Sequence, residues 1–224
     1  HGEDALANGY ISISNNSYEI IGGQARMVRS DSITTAESLD GSLSKTGSIV
    51  VYEYTDGSEN PGDLSPEYSD GDGHVYIGLL KNVIPQEITV TLENSDGSLI
   101  IMTGTGRVSV GHDIFGNYYK TVVTNEYEIF KGQVRMVSAT SDTFSYSTDG
   151  SFSETKGKVR YEYDGRNMVA SATDQPIGVL RDENGRIVGF SEESGERVQG
   201  SVTIGSDVFG NSYSTEVTHS TEAN

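Results

Sequence analysis

Tyr18-Glu19-Ile20-Ile21-Gly22-Gly23-Gln24-Ala25-Arg26-Met27-Val28 returns 109 residues later as Tyr127-Glu128-Ile129-Phe130-Lys131-Gly132-Gln133-Val134-Arg135-Met136-Val137. A recurrence at a fixed shift marks a duplicated unit and decides the architecture before any local reading does. Moving outward, Gly47-Ser48-Ile49-Val50-Val51-Tyr52-Glu53-Tyr54 matches Lys156-Gly157-Lys158-Val159-Arg160-Tyr161-Glu162-Tyr163 at the same shift. Beyond Tyr54 the copies drift. Ile77-Gly78-Leu79-Leu80 matches Ile177-Gly178-Val179-Leu180 at a shift of 100, and Asp113-Ile114-Phe115-Gly116-Asn117 matches Asp207-Val208-Phe209-Gly210-Asn211 at 94. The first copy therefore carries insertions near 57–74 and 81–101. They read as a longer loop and a longer hairpin.

The pattern Asp-x-x-x-Asn-x-Tyr occurs three times, from Asp4, Asp113 and Asp207, and each time it leads into a polar alternating run. The chain thus reads as a first β unit over 1–112, a second over 113–206, and the opening strand of a third over 207–224. That last strand has three readings: it packs on unit two, it marks a piece of a longer array, or it docks on a neighbouring subunit by β-augmentation. The expected fold is all-β: two tandem related antiparallel β units, sandwich- or barrel-like, plus a C-terminal partial-repeat strand.

Strands are expected over 24–30, 49–54, 75–80, 87–92, 99–102 and 106–110, and again over 133–139, 159–163, 177–180, 186–190 and 198–204. Asp56-Gly57, Asp96-Gly97, Asp149-Gly150, Asp164-Gly165 and Asn184-Gly185 supply hairpin signals between them. No segment sustains a helical period. Period-2 spacing puts Val50, Tyr52 and Tyr54 on one, inward, face. It also suggests outward pairs Arg26–Glu53 and Arg135–Glu162.

Composition narrows the function classes. The chain has 224 residues, 34% hydrophobic, with 27 glycines, 4 prolines, no cysteine and a formal charge of −18. Residues 1–112 hold 5 basic and 16 acidic side chains, and 113–224 hold 10 and 17, so both halves are acidic. No cationic face exists to follow phosphates, which argues against nucleic acid and anionic membranes. Without cysteine there is no disulfide framework and no thiolate metal site. No apolar run approaches the roughly 18 residues of a membrane span. The start at His1, without methionine, fits a mature form after signal removal or a tag remnant.

Candidate chemistry is sparse. Asp70 and Asp72 sit two residues apart in a glycine-rich turn, a spacing that suits calcium, which gathers oxygen ligands around a tight turn; an exposed acidic loop is the plainer reading. Asp113, Phe115, Asn117 and Tyr119, repeated as Asp207, Phe209, Asn211 and Tyr213, form either a structural turn, with the phenylalanines plugging the end of the fold, or a ligand- or assembly-contacting loop with an aromatic platform. The histidines have no metal-ligand spacing. There is no nucleophile elbow, phosphate loop or dinucleotide fingerprint, and no carboxylate pair is singled out among 33 acidic residues. No catalytic residue is assigned. The leading expectation is a secreted or cell-surface structural β-repeat protein, a self-assembling fibre or array subunit with head-to-tail strand exchange and no cofactor beyond a calcium candidate. The alternatives are a binding module for a glycan or small apolar ligand, and a polysaccharide-active enzyme.

Overall fold

The structure is a computed structural model that describes residues 2–3, 9–130, 132–165, 169–193 and 195–218. His1, the stretch from Asp4 to Asn8 and the tail from His219 lie outside the described residues. Alternating small hydroxyl and apolar side chains favour long strands, because each face of the strand then meets a single environment. After a short β1 (Gly2–Glu3) come three such strands: β2 (Gly9–Ile21), β3 (Gln24–Glu37) and β4 (Leu43–Tyr54). They recur as β8 (Tyr118–Phe130), β9 (Gln133–Tyr146) and β10 (Phe152–Tyr163), strand for strand with 13, 14 and 12 residues. Even the register break recurs. Val28 is skipped between the pairs Ser17–Arg29 and Tyr18–Met27, and Val137 between Glu126–Ser138 and Tyr127–Met136.

β4 and β10 each divide their outer edge between two partners. The first half of β4 pairs β7 (Arg107–His112) and the second half pairs β5 (Leu80–Glu93). Likewise β10 pairs first β15 (Ser201–Ser206) and then β11 (Val169–Asp174). The chain between those partners leaves the sheet. β5 bends away into a hairpin with β6 (Leu99–Thr105); later, β12 (Pro176–Arg181), β13 (Ile187–Phe190) and β14 (Arg197–Gln199) form a separate three-stranded sheet. The last strand, β16 (Ser212–Val217), pairs β15 of its own chain. The protein is all-β. One open antiparallel sheet runs β2-β3-β4-β7-β8-β9-β10-β15-β16, unbroken through residue 112.

Only one face of this sheet is covered. Val108 and Val110 of β7 pack against Val90 and Ile100 of the β5–β6 hairpin. Val202 of β15 packs against Ile177, Val179, Ile187 and Val198 of the small sheet. Gly47 admits the hairpin closely: a Cβ there would lie 2.8 Å from Ile88 and 3.0 Å from Val90. The opposite face of the long sheet carries neither cluster and is open.

Three local expectations change. Residues 75–79 form no strand, only an isolated bridge from Val75 to Ser69. The buried Thr55 claims their backbone groups instead: its hydroxyl donates to Tyr76 O, accepts from Leu79 N at 3.0 Å, and its carbonyl accepts from Gly78 N at 2.7 Å. Arg135 is buried rather than outward, with its guanidinium 3.9 Å from the Phe130 ring centre and 5.0 Å from that of Tyr163. Arg26 lies over Tyr54, and Glu53 accepts a hydrogen bond from Asn82.

Truncating the buried Ile187 to alanine is expected to lower stability by about 2–5 kcal/mol, whereas Ile101→Ala, on the outward side of β6, stays within about 0.5 kcal/mol. Thermal unfolding of the two variants tests which side of each cover is the core.

Candidate functional site

The repeated Asp-x-x-x-Asn-x-Tyr element builds the same five-residue turn at both described places. Asp113 Oδ1 accepts from the backbone N–H of Phe115 at 2.8 Å and of Asn117 at 3.0 Å, while Oδ2 accepts from the Asn117 amide at 2.8 Å. Asp207 repeats this with Phe209 N, Asn211 N and the Asn211 amide at 2.9, 2.8 and 2.8 Å. Gly116 and Gly210 close the turns at φ 84° and 80°, a conformation that suits glycine. These aspartates and asparagines brace their own backbone. The phenylalanines are no plug: Phe115 is 73% and Phe209 85% exposed, because the turn aims them past the end of the sheet.

One difference separates the two turns. Asn117 Oδ1 also accepts from Thr148 N, at 2.9 Å, which ties this turn to the β9–β10 turn. Asn211 Oδ1 has no such partner among the described residues.

Asp70 belongs to the same turn family. Its Oδ1 accepts from Asp72 N and His74 N at 3.0 and 2.8 Å, and Oδ2 faces His74 Nδ1 at 3.1 Å, so its oxygens turn into their own loop. Asp72 is exposed beside it. Among the described residues no group of three or more His, Asp or Glu is positioned to hold a metal ion. No helix there is long and apolar enough to cross a membrane.

The open face was not foreseen from the sequence. Following the ladder from strand to strand gives one unbroken row of hydroxyls: Ser12, Thr34, Thr46, Ser109, Thr121, Thr143, Thr155, Thr203 and Thr215. They bond in twos, Ser12–Thr34 at 2.9 Å, Thr46–Ser109 at 2.9 Å, Thr121–Thr143 at 3.1 Å and Thr155–Thr203 at 2.8 Å. Thr215, on the edge strand, is left over.

The next row toward the turns reads Tyr10, Ala36, Ser44, Gly111, Tyr119, Ser145, Ser153, Gly205 and Tyr213. Each tyrosine stands opposite a glycine: Gly2, Gly111 and Gly205. The rings of Tyr119 and Tyr213 occupy the space above theirs, since a Cβ on Gly111 or Gly205 would lie 2.5 Å from the ring. The structure thus brings Tyr119 and Tyr213 onto one face while sending Phe115 and Phe209 off its end. The signal was present as Gly-x-Asp-x-x-x-Asn-x-Tyr, two residues longer than the motif that was read.

At the turn end of β7–β9 lies a groove of about 400 Å³, lined from the open face by Ser44, Tyr119 and Ser145, from the covered face by Leu43, His112, Tyr118 and Tyr146, and by Asn117 at the turn. His112 is 7% exposed; its Nδ1 lies 3.0 Å from Asp113 O, and its Nε2 is buried with no hydrogen-bond partner. A second cleft, of about 730 Å³ at the opposite end of β8–β10, mixes Glu126, Glu128, Glu162, Lys158 and Arg160.

Hydrogen bonds to the ionised form hold the turn carboxyls below the usual range: first the Asn117 amide for Asp113, and first the Asn211 amide for Asp207. Backbone N–H of Ser42 and His74 does the same for Asp40 and Asp70, and the Ser98 and Ser151 side chains for Asp96 and Asp149. A depressed folded pKa contributes stability above the unfolded value, about 3.9, and loses it as pH falls through the folded value. Asp113→Ala is therefore expected to lower the melting temperature at neutral pH, with the gap to the wild type narrowing in acid. A gap that stays constant down to about pH 2, well under that unfolded value, would remove the carboxylate charge from the account. Comparison with protein-family models, with curated proteins and with solved structures found no match.

Proposed function

We propose that the chain is a structural β-repeat protein, secreted or displayed at a cell surface, that extends its sheet head to tail by exchanging the equivalent strands β16 and β2 between copies. One observation carries this reading. β2, β8 and β16 are counterparts by sequence. β8 is paired along its outer edge by β7, and β16 by β15, but from Ile11 to Ile21 β2 has no outer partner among the described residues. The other end of the sheet is incomplete in a matching way. Thr215 lacks the hydroxyl that Thr143 gives Thr121, and Asn211 Oδ1 lacks the N–H that Thr148 gives Asn117.

A neighbour's β2 in place of β16 displaces Thr215 and puts at its position Ser12, which is already bonded to Thr34. The β7–β8 register carried over sets Tyr10 opposite Gly205, Ser12 opposite Thr203 and Ser14 opposite Ser201. The exchange releases the six pairs of β16 and the two of β1 and remakes six of them. It also covers Ile13, which is exposed on β2 where its counterpart Val122 packs against the β5–β6 hairpin. The apolar gain favours the exchange. The acidic composition keeps such units soluble, and the absence of cysteine leaves the fold independent of redox conditions.

The absence of cysteine makes the test direct. A chain carrying Ser12→Cys and Thr203→Cys is expected to give a ladder of disulfide-linked multimers. Thr203→Cys with Thr215→Cys fastens β16 to its own chain and is expected to stay monomeric. A wild-type protein that is strictly monomeric at all concentrations in analytical ultracentrifugation, with and without calcium, overturns the proposal.

A further inference from the structure

We infer that the open face of the sheet binds an extended, uncharged polysaccharide, with Tyr10, Tyr119 and Tyr213 as its stacking platforms. Three independent features converge on this ligand.

The first is the spacing of the rings. The tyrosines occupy one row, each four strands from the next, on β2, β8 and β16. Four strand spacings are about 19 Å, which sets the interval between successive platforms across the sheet. They are 45%, 38% and 43% exposed, half covered by the sheet and half offered to solvent. The glycines opposite let the Tyr119 and Tyr213 rings lie close to the backbone. A pyranose presents flat C–H surfaces that pack on such rings, and it turns its hydroxyls outward to neighbouring donors and acceptors.

The second feature is charge. The tyrosine row and the hydroxyl row together hold eighteen positions, and none is charged, in a chain with 33 acidic residues. Of the charged residues of the same strands, Lys45, Lys120, Glu154 and Glu216 fall on the covered side, and Arg107 stands on the open face in the row beyond the hydroxyls. A neutral strip on a molecule of charge −18 repels polyanions through its surroundings and offers a cation no partner. What it can satisfy is a neutral ligand rich in hydroxyls, each of which donates and accepts as serine and threonine do.

The third feature is the groove at Tyr119. Ser145 stands opposite the ring on β9 and Ser44 lies beyond Gly111 on β4, while His112, in phase with Val108 and Val110, turns to the covered side. Serine hydroxyls placed beside the ring both donate to and accept from the hydroxyls of a sugar. Ser44, Ser145 and Asn117 stand around the same groove. The groove is thus the anchoring point, and the rows on either side guide the chain along the face.

The test uses a Ser206→Cys/Ser212→Cys protein, whose disulfide fastens β16 to its own β15 from the covered side and outside both rows, so that binding is measured without assembly and the two proposals fail separately. Retention is measured on microcrystalline cellulose, chitin, xylan and a β-1,3-glucan, with polygalacturonate as the charged comparison. Retention on at least one neutral polysaccharide and none on polygalacturonate is expected. Tyr119→Ala should weaken binding about tenfold, the scale of one lost aromatic contact, and the triple variant at Tyr10, Tyr119 and Tyr213 should abolish it. Should the triple variant unfold, Thr121→Glu places a carboxylate in the middle of the face with all three rings kept, and it should abolish retention too. Failure of every neutral polysaccharide to retain the protein, or retention unchanged by Thr121→Glu and Tyr119→Ala, overturns the inference.

Discussion

Everything in this molecule depends on nine strands holding one register while only one face of their sheet is covered. A wide open sheet tends to twist, and flat ones persist where side-chain ladders or stacking hold them. Here the ladder is the line of serines and threonines from Ser12 to Thr215, bonded across β2–β3, β4–β7, β8–β9 and β10–β15. Each such pair contributes only about 0.2–1 kcal/mol. Their effect is on specificity more than on stability, since a slip by one residue would turn the hydroxyls onto Val108, Val110 and Val202 and the valines into water. The apolar driving force comes from the other face. There the two departures from the sheet, after β4 and after β10, fold back over β7 and β15. The covers are unlike each other, a hairpin and a three-stranded sheet, yet both bury the same strand of the repeat.

How much of this was legible follows from how far each signal reaches along the chain. The long strand trio was legible, because its two copies match from Tyr18 to Tyr54 and from Tyr127 to Tyr163 with turn residues at the same offsets. The braced turns were legible from Asp113 and Asn117, whose spacing is set by the turn itself. The opposition of Tyr119 to Gly111 was also within reach, since counting outward from the turn centre at Phe115 pairs them. The unbroken rows were not. They require β4 to meet β7 and β10 to meet β15, across insertions of different length, and no local pattern states that 53 residues after Tyr54, at Arg107, the chain returns to the edge of β4 in phase. The strand expected over 75–80 failed for a related reason. Its alternation is genuine, but Thr55 takes up its backbone groups, which a reading of side-chain period does not see.

Charge is distributed to the same end. The aspartates with depressed pKa sit in turns, where their carboxylates brace backbone N–H groups, and the lysines and glutamates of the strands sit on the covered side or its rim. Natural edge strands are usually blunted with lysine, proline or bulges. From Gly9 to Tyr18 β2 carries no charged residue and no proline. β16 carries Glu216, which pairs with Arg181 of β12 at 3.0 Å. The two edges are therefore unequal: among the described residues one is bare from Ile11 to Ile21, and the other is short, held by six ladder pairs to β15 and by an ion pair of a kind that contributes little where it is solvent-exposed.

Strand parity explains why the edges cannot simply abut. The nine strands alternate in direction, so β2 and β16 run the same way. Translating one copy beside another would set those two edges parallel, and it would place Thr215 next to a Ser12 already bonded to Thr34. Removing one of the two equivalent strands at each junction leaves eight per copy. An even number restores the antiparallel alternation, and it also restores the pairwise bonding of the hydroxyl row, with Thr155–Thr203 followed by the next copy's Ser12–Thr34. The tyrosine row obeys the same count. With Tyr10 of one copy in the place of Tyr213 of another, the interval across the junction is again four strands. Sheet direction, hydroxyl pairing and aromatic spacing thus share one period, and the proposed strand exchange would preserve all three.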